Sequence, residues 1–377
     1  MTGRANIAFY APMKSPDDPV PSGDRTMARL LRKALIKAGF SVTVPTHFRS
    51  FDGGGNMERQ VQLKKTGLDE AERLIRQFGD MPLTERPKVW VSYHVYYKSP
   101  DWIGPQVCKA LGIPYLVVEG SRAAKRADGP WATGHDGAEQ ALDQASVIFA
   151  MTGKDSVALV RHKPPGQRII QLPPFLDLDE WPDIRSPEKR FRTASLSFLT
   201  VAMMRHGDKL ESYRQLAGIL GMVSGPWQLD IIGDGPARTE IKHLFAPFAD
   251  AVRFHGAVAD KMQLAHFYAE ADIFLWPAVK EAYGMVFLEA QAFGCPVIAG
   301  NHGGVGSVVK TGETGILVPA DDIRTFADTI ATLEADRNLL QHLSVGARTF
   351  VRETRNLDRA AELLRNTIDS LTGSRQA

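Results

Sequence analysis

Two glutamates eight positions apart, Glu281 and Glu289, flank a glycine at what reads as a strand-to-helix crossing. Pro277 closes an apolar strand, Ile273–Trp276, and a loop containing Glu281 follows. A helix then opens around Gly284 and ends at Gly294, before the next strand. Free backbone N–H groups and the helix dipole converge at such a helix start, and together they favour phosphate. The amides of Gly284, Met285 and Val286 are therefore placed to receive a diphosphate, and Gly284 has no side chain to obstruct it. Carboxylates on either side of a phosphate cradle suit hydrogen bonds to hydroxyls, one set on a sugar and one on a ribose. Two acids at this spacing are also common on a solvated helix surface, so the surrounding text has to decide.

Loops of this kind bind ligands when they lie beyond the carboxyl ends of strands in an open parallel sheet, and the chain is patterned for two such sheets. Asn6–Tyr10 reads as an apolar strand that runs into a loop rich in Pro, Asp and Gly. A helix with Met27, Leu30, Leu31, Ala34, Leu35 and Ala38 on one stripe follows, Gly39 stops it, and 41–44 is the next strand. Further strands are expected at 88–92, 115–118 and 147–151, with a helix over 136–144. Three prolines between Leu172 and Pro182 break the pattern, as a linker does. A second run begins at Leu196–Val201 and continues through 228–232, 252–255, Ile273–Trp276, 296–299 and Gly315–Val318. A last amphipathic helix is expected over 358–371. Helices alternating with short apolar strands define an α/β, doubly wound architecture.

The bulk numbers agree. At 377 residues the chain is too long for one ordinary core, and two domains of roughly 150–200 residues are expected. A net charge of +2 gives no reason to expect a nucleic-acid partner. Residues 1–190 hold 27 Lys and Arg against 22 Asp and Glu; this leaves open a peripheral contact with an anionic membrane surface as well as a plain solvated face. Cys108 and Cys295 stand in unrelated settings, so neither a disulfide framework nor a zinc site is expected. No apolar run of membrane-spanning or signal-peptide length occurs, and a cytoplasmic location is the expectation.

The text around the two glutamates resembles the retaining GT-B glycosyltransferases of glycosyltransferase family four. The matching residues are Pro277, Glu281, Tyr283, Gly284, Glu289, Ala290, Ala292, Gly294, Pro296 and Val297. Further pieces follow the family order at 231–236, 254–258, 271–275, Gly303 with Gly304, and 314–318, so the resemblance covers about residues 196–335. It implies a GT-B fold, two Rossmann-like domains facing a cleft with the C-terminal helix packing back on the first. The expected boundaries are 1–172 for the acceptor-side domain, 173–190 for the linker, 191–355 for the nucleotide-sugar domain and 356–377 for the returning helix. The implied reaction moves a hexose from a nucleotide-diphosphate sugar to an acceptor with retention of configuration. The acceptor is left open among sugars, lipids and small molecules. Alternatives are an epimerase or hydrolase of the same fold, or a non-catalytic nucleotide-sugar-binding module.

Carried over residue by residue, the resemblance implies that Glu281 contacts the donor sugar and takes part in catalysis, and that Glu289 holds the ribose. The loop ending at Val258 lies on the donor side. A basic pair near the first strand of this domain neutralises the diphosphate; Arg205 and Lys209 are the candidates, displaced from the usual arginine position. No metal and no cofactor is expected, because fixed cations and helix amides stabilise a departing diphosphate. Asp177 and Asp179 form an Asp-x-Asp, but in the Pro-rich connection. In the first domain Gly23 and Asp24 stand as a reduced form of the usual Gly-rich loop. Glu119 occupies the place where many relatives have a cleft histidine, and His94 is a second catalytic candidate or a plain polar strand end. Arg122, Lys125 and Arg126 read either as a site for an anionic acceptor or as a solvated face. Trp131 reads as a sugar platform or as core.

Overall fold

The computed structural model describes residues 5–20, 22–184 and 195–373. The chain divides into two compact units, Met1–Pro173 with Leu357–Ala377, and Pro174–Asn356. Residues 185–194, which hold part of the expected linker and the first positions expected of the second domain, lie outside the described residues.

In the first unit the strands are β1 Asn6–Tyr10, β2 Ser41–Thr43, β3 Val89–Val95, β4 Tyr115–Gly120, β5 Val147–Ala150 and β6 Arg168–Gln171. Its helices are α1 Gly23–Lys37, α2 Met57–Asp80, α3 Gly104–Leu111, α4 Ala132–Gln144 and α5 Gly153–His162. The second unit has β7 Leu196–Val201, β8 Trp227–Ile232, β9 Val252–Gly256, β10 Ile273–Trp276, β11 Val297–Gly300 and β12 Gly315–Val318. Around them lie α6 Asp208–Leu220, α7 Arg238–Leu244, α8 Lys261–Glu270, α9 Met285–Ala292, α10 Ile323–Ala335 and α11 Arg337–Thr354. The last helix, α12 Leu357–Thr372, belongs to the first unit: Arg365 Nε donates to Ala38 O at 3.0 Å, and Lys37 pairs with Asp358 at 2.8 Å.

Every strand pair is parallel, with strand orders β2-β1-β3-β4-β5-β6 and β12-β11-β10-β7-β8-β9. Helices cover both faces of such sheets, which is why β5, β10 and β11 are apolar and buried at every position. In each sheet the chain builds outward on one side and then returns to the other side of its first strand. The switch falls between β1 and β3 in the first unit and between β7 and β10 in the second, the places where open α/β sheets bind ligands.

Several elements depart from the sequence expectation. β3 runs on to Val95, so His94 lies within the strand and not beyond it. Gly23 and Asp24 are the first two residues of α1, capped by Ser22, whose side chain accepts from the Arg25 amide. They belong to a helix start and not to a phosphate-wrapping loop. The edge strand β6, half-exposed and polar at both ends, gave no apolar run to read.

Candidate functional site

At the switch point of the second unit, the loops after β7 and β10 meet. The β7 loop is held by the 231–236 segment: the Met204 amide donates to Asp234 O at 2.9 Å and the Ala237 amide to Met204 O at 2.9 Å. The loop ends in α6, whose second residue is Lys209. The β10 loop is bolted onto α6 by three contacts. Val279 N donates to Ser212 Oγ at 3.0 Å, Lys280 pairs with Asp208 at 3.1 Å, and Lys209 Nζ reaches Glu281 Oε2 at 2.5 Å. Lys209 also lies 5.5 Å from the centre of the buried Trp276 ring.

The backbone around Glu281 is forced. Ala278 and Lys280 have left-handed φ of 61° and 48°, a conformation that costs a non-glycine residue of order 1–3 kcal/mol and persists only where the surroundings impose it. The imposing neighbour is the loop after β11. A Cβ on Gly303 would lie 2.0 Å from Glu281 O, and the Gly304 amide donates to Ala282 O at 2.6 Å. Gly284, with φ of 77°, caps α9; a Cβ there would meet the Phe287 ring at 2.5 Å. In the first turn of α9 the Phe287 amide donates to Gly284 O at 3.0 Å, while those of Met285 and Val286 precede the first intrahelical acceptor and are open to a ligand. Arg205 is exposed and has no carboxylate partner among the described residues. The structure thus brings Lys209 onto Glu281 and leaves Arg205, three residues before α6 in the same loop, without a carboxylate partner among the described residues.

Glu289, in the second turn of α9, accepts from the hydroxyl of fully buried Tyr268 at 2.8 Å. Burial raises its pKa, against the opposing effects of the Tyr268 hydrogen bond and of Lys261. Lys261 opens α8, just past Val258; burial lowers its pKa against the pull of Glu289 and Asp177. It pairs with Glu180 and lies 5.2 Å from the ring centre of Trp181, which packs edge-on against Tyr268 and Phe293. Tyr268, Lys261 and Trp181 were not singled out from the sequence. Tyr268 reads as ordinary core spacing on a helix, and only the strand order brings it to Glu289. Asp177 Oδ1 accepts from the Asp179 amide and caps the short turn Leu178–Glu180, which accounts for the Asp-x-Asp pair structurally.

In the first unit Asp24, His94 and Glu119 converge at the β1/β3 switch point. His94 Nδ1 donates to Asp24 Oδ1 at 2.9 Å, and its Nε2 lies 4.0 Å from Glu119 Oε1. His94 and Glu119 both have left-handed φ, 64° and 60°, so two neighbouring strands end in strained residues whose side chains meet. Burial by itself lowers the His94 pKa; Glu119, Asp24 and Asp155 outweigh it and push it up to about 9. Burial raises the Asp24 pKa, but the His94 hydrogen bond and charge, with a backbone hydrogen bond and Lys14, outweigh it and the net shift is downward. Asp24 is therefore an anion aimed at His94, a poor neighbour for phosphate. Arg122 is neutralised by Glu139 and by Asp143, the latter at 2.6 Å, so it offers no charge to an acceptor.

A folded pKa raised above 6.5 makes the contribution of His94 to stability full below pH 6.5, and lost as pH rises through about 9. The melting-temperature gap between the wild type and His94→Gln should accordingly be widest near pH 6.5 and close toward pH 9.5. A gap constant over that range is the contrary result.

Two doubly wound α/β units, each with its own parallel six-stranded sheet, are the architecture of the GT-B class of fold. Sucrose-phosphate synthase from Thermosynechococcus elongatus superposes with a TM-score of 0.73 at 20% identity, covering 98% of this chain and all of that one. Residues 199–336 match the family model of the glycosyl transferases group 1. A D-inositol 3-phosphate glycosyltransferase of Streptomyces bingchenggensis is 36% identical over 34% of this chain and 28% of its own length. A GDP-mannose-dependent alpha-(1-6)-phosphatidylinositol monomannoside mannosyltransferase of Mycobacterium tuberculosis is 34% identical over 50% of this chain and 52% of its own. The chain thus spans about half or less of the length of these curated relatives. Among the described residues no helix is long and apolar enough to cross a membrane.

Proposed function

We propose that the protein transfers a hexose from a nucleoside-diphosphate sugar to an acceptor hydroxyl with retention of configuration. The carrying observation is the set Lys209, Glu281, the α9 helix start and half-buried Glu289, collected at one switch point. Glu289 accepts from the ribose hydroxyls, and Val258 lines the same side. The amides of Gly284, Met285 and Val286 take the diphosphate together with Lys209 and Arg205. Glu281 accepts from the donor sugar's hydroxyls. The acceptor hydroxyl oxygen bonds to the anomeric carbon on the face from which the phosphate oxygen departs, and that oxygen takes the hydroxyl proton. The bond to the diphosphate breaks as negative charge grows on it, where Lys209 and the amides act most strongly. GDP-mannose is the first donor to try, since the mycobacterial relative is named for it. The first unit supplies the acceptor side, with His94 and Glu119 facing hydroxyls and Asp24 positioning His94.

Glu289→Ala should weaken nucleoside-diphosphate binding by about 1–3 kcal/mol, because a buried set of ribose hydrogen bonds is lost. Tyr268→Phe makes a finer test. The carboxylate is the binding form, so affinity falls as pH drops through the raised Glu289 pKa. Removing the Tyr268 hydrogen bond raises that pKa further and moves the loss of affinity to higher pH. Calorimetry from pH 5 to 8 reads both; donor affinity untouched by Glu289→Ala sinks the ribose assignment.

A further inference from the structure

The first unit carries an aromatic run that the donor reading does not use. From His94 it passes to Tyr96, stacked at 4.7 Å, then to Tyr97, edge-on at 5.5 Å, then to Trp131, edge-on at 5.7 Å. Two cations lie at its far end. Lys98 Nζ is 5.8 Å from the Tyr97 ring centre and 5.3 Å from that of Trp131; the Arg126 guanidinium is 5.3 Å and 4.8 Å from the same two. Neither has a carboxylate partner among the described residues, and the buried Arg126 Nε has no hydrogen-bond partner. All four side chains are half-buried. Ring faces offset part of the charge, but two like charges share one indole without an ion-pair partner among the described residues, and an arriving anion relieves that repulsion. Arg122, four residues before Arg126, shows the opposite treatment, with two carboxylates.

We propose that Lys98 and Arg126 form a subsite for a phosphate ester carried by the acceptor, with Tyr97 and Trp131 as its wall. This rests on the reading of the chain as a glycosyltransferase with its acceptor side on the first unit. A guanidinium beside an ammonium matches phosphate in charge and geometry, and the electron-rich face of an indole packs against the C–H face of a polyol. The wall is set in advance: Trp131 Nε1 donates to Asp52 O at 3.4 Å, and a Cβ on Gly55, at φ of 73°, would lie 3.0 Å from the indole. The opposite end of the run fixes the acceptor's direction. Asp24, Glu119 and Asp155 surround one imidazole there, an environment that takes hydroxyls and repels phosphate. The acceptor therefore lies with its hydroxyls toward His94 and its phosphate on Lys98 and Arg126.

The phosphate can belong to a soluble polyol ester or to a lipid headgroup, and one experiment separates these. The six tryptophans of the ¹⁵N-indole-labelled full chain are assigned by single Trp→Phe variants. Trp131 then reports this subsite, and Trp276, beside Lys209, reports the donor site. Glycerol phosphate should shift the Trp131 signal saturably, with affinity lowered about tenfold in Arg126→Gln and in Lys98→Met, while the other indole signals stay in place. GDP should shift Trp276. Competition by phosphatidylinositol vesicles, but not by phosphatidylcholine vesicles, assigns the phosphate to a lipid; its failure beside a glycerol phosphate shift assigns it to a soluble ester. A Trp131 signal that never moves, or moves equally in both variants, overturns the subsite even if GDP shifts Trp276. A Trp131 shift with no response of Trp276 to GDP keeps the subsite and removes the donor reading.

Discussion

Glu281→Gln should lower kcat by roughly 10- to 1000-fold, or ~1.4–4 kcal/mol of barrier, and leave affinity for the free nucleoside diphosphate almost unchanged. The proposed role is contact with donor-sugar hydroxyls, which sets the anomeric carbon against both acceptor and diphosphate; misplacement by about 1 Å can cost ~100-fold. Glutamine keeps the size and some of the hydrogen bonding but removes the charge that stabilises a developing oxocarbenium ion. The loop itself should survive the change. Its path is fixed by the close approach of Gly303 to Glu281 O and by the Gly304 to Ala282 hydrogen bond, both made by backbone. The Lys209–Glu281 pair is part-exposed, 27% and 17%, and pairs of this kind contribute at most about 1 kcal/mol to folding. Single-turnover kinetics with the nucleotide sugar, set beside calorimetry with the nucleotide alone, separates the two roles. If nucleotide binding and melting temperature fall together, Glu281 holds the loop and the sugar assignment fails.

The parts legible in the sequence were those written locally. A strand closed by Pro277 and a helix stopped by Gly39 fix where elements end, and parallel sheets buried on both faces make β5, β10 and β11 stand out. The run from Pro277 to Val297 is legible because the helix start proposed to take the diphosphate needs Gly284 and its neighbours contiguous in the chain. What depends on strand order was not. Lys209 and Glu281 are 72 positions apart and meet only because β10 returns beside β7. Asp24 and His94 are 70 apart and meet only because β3 follows β1 in the sheet. Charge by itself also misleads. Arg122 and Arg126 look alike in the sequence, yet one is neutralised by α4 carboxylates and the other rests on aromatic rings.

Lys209→Ala should lower kcat by about 100- to 1000-fold, the usual loss when one fixed donor to a developing anion is removed. KM for the donor should change far less, because the charge on the departing diphosphate grows only as the bond breaks. Arg205→Gln, which alters an exposed guanidinium with no carboxylate partner among the described residues, should cost less. Lys209 also touches Glu281, so its loss could act through that carboxylate instead of the phosphate. A double-variant cycle decides between them. If Lys209 merely positions Glu281, Lys209→Ala adds nothing in a chain already carrying Glu281→Gln. If it acts on the leaving group, the two losses multiply, and adding ethylammonium to the Lys209→Ala enzyme restores part of the rate. Wild-type kcat in Lys209→Ala beside a large loss in Arg205→Gln would reverse the assignment and give the phosphate to Arg205, leaving Lys209 as the partner that holds Glu281 in place before the donor arrives.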